Sequence, residues 1–240
     1  MQLKLEKTGS RAIVYDANRI SQPDASLFEP DFWYRSGSVV GKAVGRGNAL
    51  MLDTPFGPAV LRRYLRGGGA AKFSRDRYLF LGYSRSRPIT EATITARLFA
   101  LGLPVPEVLG GICQRHGLSY SGALLTQRIA NVTPLADVLV SGDSGDGMWQ
   151  RIGHCIRRFH DAGVCHADLN VRNILVDNRN TIWLIDFDRA RFLAPNSRKL
   201  TNNLQRLLRS LRKQKQLPDA QLDNFWRHLM LGYNSNQRPV

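Results

Sequence analysis

The chain has 240 residues, of which 43% are hydrophobic and 22% charged, which is typical of a soluble globular protein with one domain or two small lobes. Its 34 lysines and arginines outnumber the 19 acidic residues, for a formal net charge of +15. No apolar run approaches the ~18 residues that a membrane span needs, and the first ten residues lack the apolar segment of a secretory signal. We therefore expect a cytoplasmic protein. Its positive charge could bind nucleic acid, an anionic membrane surface or an acidic substrate, or it could only keep the protein soluble.

The N-terminal third is predicted to be rich in strands, with a β-hairpin system over residues 39–65. Between the first two strands of that system stands Gly45-Arg46-Gly47. A glycine pair between strands lets backbone N–H groups approach phosphates, although Gly-x-Gly alone also occurs in plain hairpin turns.

Arg62 follows in the strand Ala59–Leu65, where kinases place the lysine that contacts the nucleotide phosphates. A helix is predicted from Pro88 to Leu101, with Thr90 as its cap. Glu91 is expected to pair with Arg62; alternatively, it only favours the helix dipole.

Two further segments are strongly basic. Residues 72–87 mix cations with aromatic side chains, which fits either a surface for an acidic, phosphorylated substrate or a solvated loop. Residues 200–215 combine leucines at helical spacing with arginines and lysines. This second segment is either a helix that lies on an anionic membrane or, the interpretation we favour, one whose leucines face the core.

The segment from His166 to Asp188 carries the chemistry. Asp168 and Asn173 fit the kinase pattern H-x-D-L-x-x-x-N, and Asp186 begins a sequence similar to D-F-G. A hairpin over residues 174–185 would bring the three side chains together. One carboxylate then orients the attacking hydroxyl and accepts its proton, while the amide oxygen and second carboxylate hold the Mg²⁺ that bridges the phosphates of ATP.

Other residues of this region have different expected roles. Ala167 replaces the arginine of protein kinases, and Asp188 replaces the glycine of D-F-G, so we expect no phosphorylation-gated activation loop and no protein substrate. His166 is expected to pack and hydrogen-bond structurally. His154 and His160 are predicted on the surface of a helix from Met148 to His160. The alternative for the whole segment is a polar turn in an unrelated sheet.

Several further motifs resemble those of lipopolysaccharide kinases that phosphorylate 3-deoxy-D-manno-octulosonic acid (Kdo). They are L-F-E-P-D-F-W at residues 27–33, V-L-R-R-Y at 60–64, D-R-Y at 76–78, L-P-V-P at 103–106 and H-A-D-L-N at 166–170. The resemblance implies an α+β, bilobal protein-kinase-like fold. A small β-rich N-lobe would span residues 1–130 and a mainly helical C-lobe residues 131–240, with residues 131–135 as linker.

The same resemblance implies a function. ATP would be the donor and the 4-hydroxyl of Kdo in Kdo–lipid A the acceptor, during synthesis of the lipopolysaccharide core. The protein would attach peripherally to the cytoplasmic face of an inner membrane, and no nucleic acid partner is expected. Two alternatives stay open: a small-molecule or antibiotic kinase of the same fold, and a non-catalytic nucleic-acid- or membrane-binding module.

Overall fold

A computed structural model describes residues 1–42, 49–65, 77–142, 145–194, 197–214 and 217–235. The chain divides into two compact units. One comprises Met1–Leu101 and Pro106–Arg128, and the other comprises Gly102–Val105 and Ile129–Val240. The first unit is rich in β-structure and the second in helices, so the protein belongs to the mixed α/β class.

An antiparallel sheet forms the first unit. Its strands are β1 (Leu3–Thr8), β2 (Arg11–Asp16), β3 (Val39–Lys42), β4 (Ala49–Thr54), β5 (Gly57–Arg63), β6 (Tyr78–Leu79), β7 (Val108–His116) and β8 (Ser119–Gln127). Among the described residues they follow the order β1-β2-β7-β8-β5-β4-β3, with β6 paired to β8. Ala59 and Leu61 of β5 are buried on one face, so the two-residue period of a strand turns Arg62 to the other face.

Each face of this sheet is covered. Helix α1 (Pro30–Arg35) and the 3₁₀ turn before it place Trp33 and Phe28 in one hydrophobic cluster with Leu61. Helix α2 (Arg87–Ala100) contributes Ile89 to a second cluster on the opposite face. Arg62 and α2 therefore lie on the same side of the sheet.

Helix α2 begins one turn earlier than its predicted cap. Ser86 occupies the N-cap position, and Thr90 donates its backbone N–H to the Ser86 carbonyl oxygen inside the helix, so the predicted Thr90 cap is wrong. Pro88 explains the start, because proline has no N–H to donate and fits only in the first turn. Glu91 consequently lies beyond the first turn.

Within the described residues, the second unit contains four helices and two small sheets. The helices are α3 (Leu135–Ser141), α4 (Asp146–Asp161), α5 (Arg198–Arg212) and α6 (Asp219–Asn234), preceded in the other unit by α1 and α2. The strands are β9 (Val132–Pro134), β10 (Val164–Cys165), β11 (Ile174–Asp177), β12 (Ile182–Leu184) and β13 (Arg191–Phe192). Strand β11 pairs with both β9 and β12, and β10 pairs with β13.

The strands of the second unit form two small sheets. One sheet has the order β12-β11-β9 and the other is the pair β10-β13. Residues 131–135 were expected to be a linker, but Val132–Pro134 is a strand that pairs with β11 through Leu175 and Pro134. The segment predicted as a linker therefore contains a short strand of the second unit, and its role as a linker stays a prediction.

Helices α4 and α6 pack closely through glycine. A Cβ atom added to Gly153 would lie 1.9 Å from the carbonyl oxygen of Leu229, and one added to Gly232 would lie 1.9 Å from that of Gln150. Beside this crossing, Trp149 stacks on Phe225 with ring centroids 4.4 Å apart. Only glycine permits so close an approach of two helix backbones.

His160 is buried, so its predicted place on the helix surface is wrong. Its Nδ1 lies 2.9 Å from the hydroxyl oxygen of Tyr233. Burial disfavours the charged imidazolium and lowers the pKa of His160 to about 4. A final helix is predicted over Leu217–Leu231, and α6 confirms it, but the periodicity of α4 could not show that Tyr233 of α6 packs against His160.

The leucines of α5 face the core, as the favoured interpretation predicts. Leu200, Leu204, Leu207 and Leu211 are all buried. No helix in the described ranges is both long and apolar enough to cross a membrane.

Candidate active site

The loop between β10 and β11 folds around Asp168. The side-chain amide of Asn173 donates to the Asp168 carbonyl oxygen at 2.8 Å, and that of Asn170 donates to the same oxygen at 3.0 Å. Leu169 and Val171 are buried, so their side chains anchor the loop in the hydrophobic core. The loop backbone is thereby fixed while the Asp168 carboxylate stays half-exposed, as a group that must meet a substrate requires.

The predicted hairpin is confirmed. Strands β11 and β12 pair in the register Ile174 to Leu184, and the Ile185 N–H donates to the Asn173 carbonyl oxygen at 3.1 Å. Asn173 and Asp186 therefore lie at the same end of the hairpin. Asp186 has a φ of +68°, in the left-handed region that non-glycine residues rarely adopt, and such conformations are concentrated at functional sites.

His166 has the structural role predicted for it. Its Nδ1 accepts from the Asp168 N–H at 3.1 Å, so its Nε2 carries the hydrogen and donates to the Ile185 carbonyl oxygen at 3.0 Å. The ring is buried against Phe187, with centroids 4.9 Å apart. His166 thus connects the Asp168 loop to the residue that precedes Asp186.

Two residues of α5 that contact this loop were missed by sequence reasoning. Asn203 accepts from the His166 N–H at 2.9 Å and donates to the His166 carbonyl oxygen at 2.7 Å. Arg206 places Nη1 3.3 Å from Oδ1 of Asp168. The sequence could have indicated Asn203, because it is a polar residue at the helical spacing of the buried leucines. Nothing in the sequence indicates that Arg206 reaches Asp168.

In the first unit, Arg62 and Glu91 form the predicted ion pair. Nη2 of Arg62 lies 2.7 and 2.6 Å from the two carboxylate oxygens of Glu91, which is only 2% exposed. The alternative that Glu91 only favours the helix dipole is wrong. Tyr64, which the sequence analysis missed, also donates its hydroxyl to Glu91.

The electrostatics of this cluster keep Arg62 charged. Burial alone would lower the pKa of Arg62, but the charge and hydrogen bonds of Glu91 outweigh it and raise the pKa. Burial, and then the Glu91 charge, raise the pKa of the Tyr64 hydroxyl, which stays protonated as a donor. The result is a cation fixed in position by a buried carboxylate.

Some predicted binding residues cannot be placed. Gly45, Arg46 and Gly47 lie outside the described residues, as do residues 72–76 of the basic and aromatic segment. Within the rest of that segment, Tyr78 is buried beside Tyr120, with centroids 5.6 Å apart, and the Arg87 guanidinium lies 4.7 Å from the Tyr78 ring. At these positions the aromatic side chain serves packing.

Comparison with known proteins identifies the family. Residues 30–229 match the model of the Lipopolysaccharide kinase (Kdo/WaaP) family. The chain belongs to this family. A relative from Stenotrophomonas maltophilia (strain R551-3), named 3-deoxy-D-manno-octulosonic acid kinase, is 45% identical over 222 residues, covering 91% of this chain and 88% of the relative.

Two further proteins that are similar to this chain carry the same name. One, from Xanthomonas oryzae pv. oryzae (strain PXO99A), is 47% identical over 208 residues, which cover 87% of this chain and 83% of the relative. Another, from Xylella fastidiosa (strain M23), is 43% identical over 202 residues, which cover 84% of this chain and 80% of the relative. Membership of a kinase family implies ATP as a substrate.

The side chains at the end of the hairpin fit the needs of Mg²⁺. This ion prefers oxygen ligands and is commonly bound by one or two carboxylates together with substrate phosphates. Asn173 and Asp186 offer an amide oxygen and a carboxylate. In the described part of the chain there is no group of three or more His, Cys, Asp or Glu residues that could hold a metal ion.

Proposed function

We propose that this member of the lipopolysaccharide kinase family transfers phosphate from ATP to the 4-hydroxyl of Kdo in Kdo–lipid A, as a step of lipopolysaccharide core synthesis. The observation that carries the proposal is the arrangement around Asp168, whose loop is closed by Asn173 and joined through His166 to the residue before Asp186. The names of the similar proteins support Kdo as the sugar that is phosphorylated.

Each residue has a role in this proposal. Asp168 orients the acceptor hydroxyl and takes its proton as the new O–P bond forms. Arg62, held by Glu91, contacts the phosphates of ATP. Asn173 and Asp186 would hold Mg²⁺, which when bound neutralises phosphate charge. The protein's contribution is therefore positioning and charge stabilisation.

The proposal extends to architecture and location. We propose that the two units are the lobes of a bilobal protein-kinase-like fold, with the glycine pair at Gly45 and Gly47 as its phosphate-binding turn. We also propose that the protein binds peripherally to the anionic cytoplasmic surface of the inner membrane. Its net charge of +15 supports this, since each basic residue near such a surface contributes about 1 kcal/mol.

A small-molecule kinase of the same fold is the second candidate. A cationic antibiotic would favour an acidic protein surface, whereas here a charge of +15 and the Arg206 guanidinium beside Asp168 favour an anionic acceptor.

The test is phosphate transfer from labelled ATP to Kdo–lipid A in the presence of magnesium. We expect Asp168→Ala to lower kcat by about 10²- to 10⁴-fold, the usual contribution of a general base. Asp161→Asn is the matched control, because it removes a more exposed carboxylate that pairs with Arg157 on α4. Labelling at a position other than the 4-hydroxyl, or equal labelling by Asp168→Ala and the wild type, would contradict the proposal.

A further inference from the structure

Helix α5 lies along the loop that carries Asp168. Besides the two hydrogen bonds between Asn203 and His166, the Val171 N–H donates to Oγ of Ser210 at 3.3 Å. These contacts, together with the buried leucines, hold roughly two turns of the helix against the loop. The opposite face of α5 is therefore presented to solvent in a fixed relation to Asp168.

That solvent face carries several cations together with uncharged polar residues. The cationic face of α5 is defined by five exposed residues: Arg198, Lys199, Arg206, Arg209 and Arg212. At 3.6 residues per turn they fall within an arc of about 140°. The sequence of the helix, R-K-L-T-N-N-L-Q-R-L-L-R-S-L-R, contains no aspartate or glutamate to offset them.

This distribution is unfavourable for an isolated helix. Like charges three or four residues apart, such as Arg206 with Arg209 and Arg209 with Arg212, repel by ~0.2–0.5 kcal/mol per pair. Arg198 and Lys199 stand in the first turn, where the helix dipole disfavours cations. An anionic ligand on this face would relieve both effects.

Arg206 connects the face to the chemistry. Its guanidinium lies 3.3 Å from the Asp168 carboxylate, and the two side chains are 48% and 50% exposed. An ion pair so exposed contributes at most about 1 kcal/mol, so Arg206 can exchange its partner at low cost. The group that Asp168 meets in the reaction is the acceptor hydroxyl, so Arg206 lies beside the acceptor. Arg209 and Arg212 continue the same face of the helix about one and two turns further along.

We propose that the cationic face of α5 binds the anionic groups of the phosphoryl acceptor, its phosphates or its sugar carboxylate. This inference rests on the proposed function and assigns acceptor recognition to residues of α5. Arginine suits the task because its planar guanidinium binds phosphate and carboxylate oxygens in pairs.

The test compares acceptor and ATP kinetics in neutral detergent micelles, where no anionic lipid other than Kdo–lipid A is present. Arg209→Gln and Arg212→Gln are chosen because neither residue is the one that contacts Asp168. We expect each to raise the KM for Kdo–lipid A up to roughly fivefold, as loss of one exposed ion pair does, and the double variant up to roughly 25-fold, with kcat and the KM for ATP changed less than twofold. Arg151→Gln, which removes one exposed cation from α4, is the matched control and should change neither KM.

A second acceptor identifies the anion. If the face binds phosphate, the difference between wild type and the double variant should shrink on Kdo–lipid A whose lipid A phosphates have been removed; if it binds the sugar carboxylate, the difference should persist. An unchanged acceptor KM in the variants, or an effect seen only with anionic vesicles, would overturn the inference and leave the proposed function intact. Failure of the wild type to phosphorylate Kdo–lipid A would instead overturn the proposed function.

Discussion

The Arg62–Glu91 pair makes a sharp prediction about stability. Replacing Glu91 with glutamine keeps the shape of the side chain and removes its charge. Glu91 is 2% exposed and accepts from both Arg62 and Tyr64. The variant therefore leaves a guanidinium whose side chain is only 21% exposed without its carboxylate.

The expected loss is large. Removing one partner of a buried ion pair costs about 3–5 kcal/mol, and we expect the lower end of that range because the glutamine oxygen still accepts a hydrogen bond. The matched control is Glu107→Gln, which breaks a pair with Arg19 of similar length, 2.7 Å, whose arginine side chain is 38% exposed. A more exposed pair contributes about 0–1 kcal/mol.

The assay is urea unfolding, with the free energy of unfolding extrapolated to water for the wild type and both variants. A smaller loss of unfolding free energy for Glu91→Gln than for Glu107→Gln would refute the reasoning, because it would mean that burial does not increase the contribution of the Arg62–Glu91 pair to stability. If Arg62 also contacts ATP as proposed, Glu91→Gln should raise the KM for ATP and leave that for the acceptor unchanged.

Two further predictions concern the second unit. Gly153→Ala should lower the free energy of unfolding by about 1–3 kcal/mol, because its Cβ would lie 1.9 Å from the Leu229 carbonyl oxygen. The control Gly147→Ala, in the same helix, meets only the flexible end of a side chain and should be neutral or stabilising. Equal losses for the two variants in urea unfolding would contradict this prediction. The pKa of His160 is about 4 in the folded protein, whereas that of a histidine in the unfolded chain is about 6.5. Between these two pH values the unfolded chain binds a proton that the folded protein does not, so the free energy of unfolding should decrease as the pH falls from 6.5 towards 4. His160→Gln should remove this part of the pH dependence, and His154→Gln should retain it.

The site was predictable where its signal is local in the sequence. The spacing of Asp168 and Asn173, followed by a hairpin and Asp186, depends on residues near one another in the chain, and the strand pairing confirms the hairpin. The Arg62–Glu91 pair was also predicted, although 29 residues separate the two, because kinases pair a cation of the third strand with a glutamate of the following helix.

The wrong prediction for His160 and the unpredicted strand β9 have a common origin. His160 was assigned to the surface because its own helix shows no partner for it, and Tyr233 on α6 supplies that partner. Strand β9, within residues 131–135, was not predicted because a strand of three residues has little periodicity, and its partner β11 supplies the hydrogen bonds that make it a strand. In both cases the deciding neighbour is distant in sequence.

By itself, the sequence determined the family motifs, the catalytic candidates Asp168, Asn173 and Asp186, and the excess of positive charge. Only the tertiary structure decided that Asn203 holds the His166 backbone and that Arg206 reaches Asp168. The physical reason is that a motif fixes which groups occur and how far apart along the chain they stand. Which side chains touch depends on how separate elements pack, and that packing is set by the whole hydrophobic core rather than by any one segment.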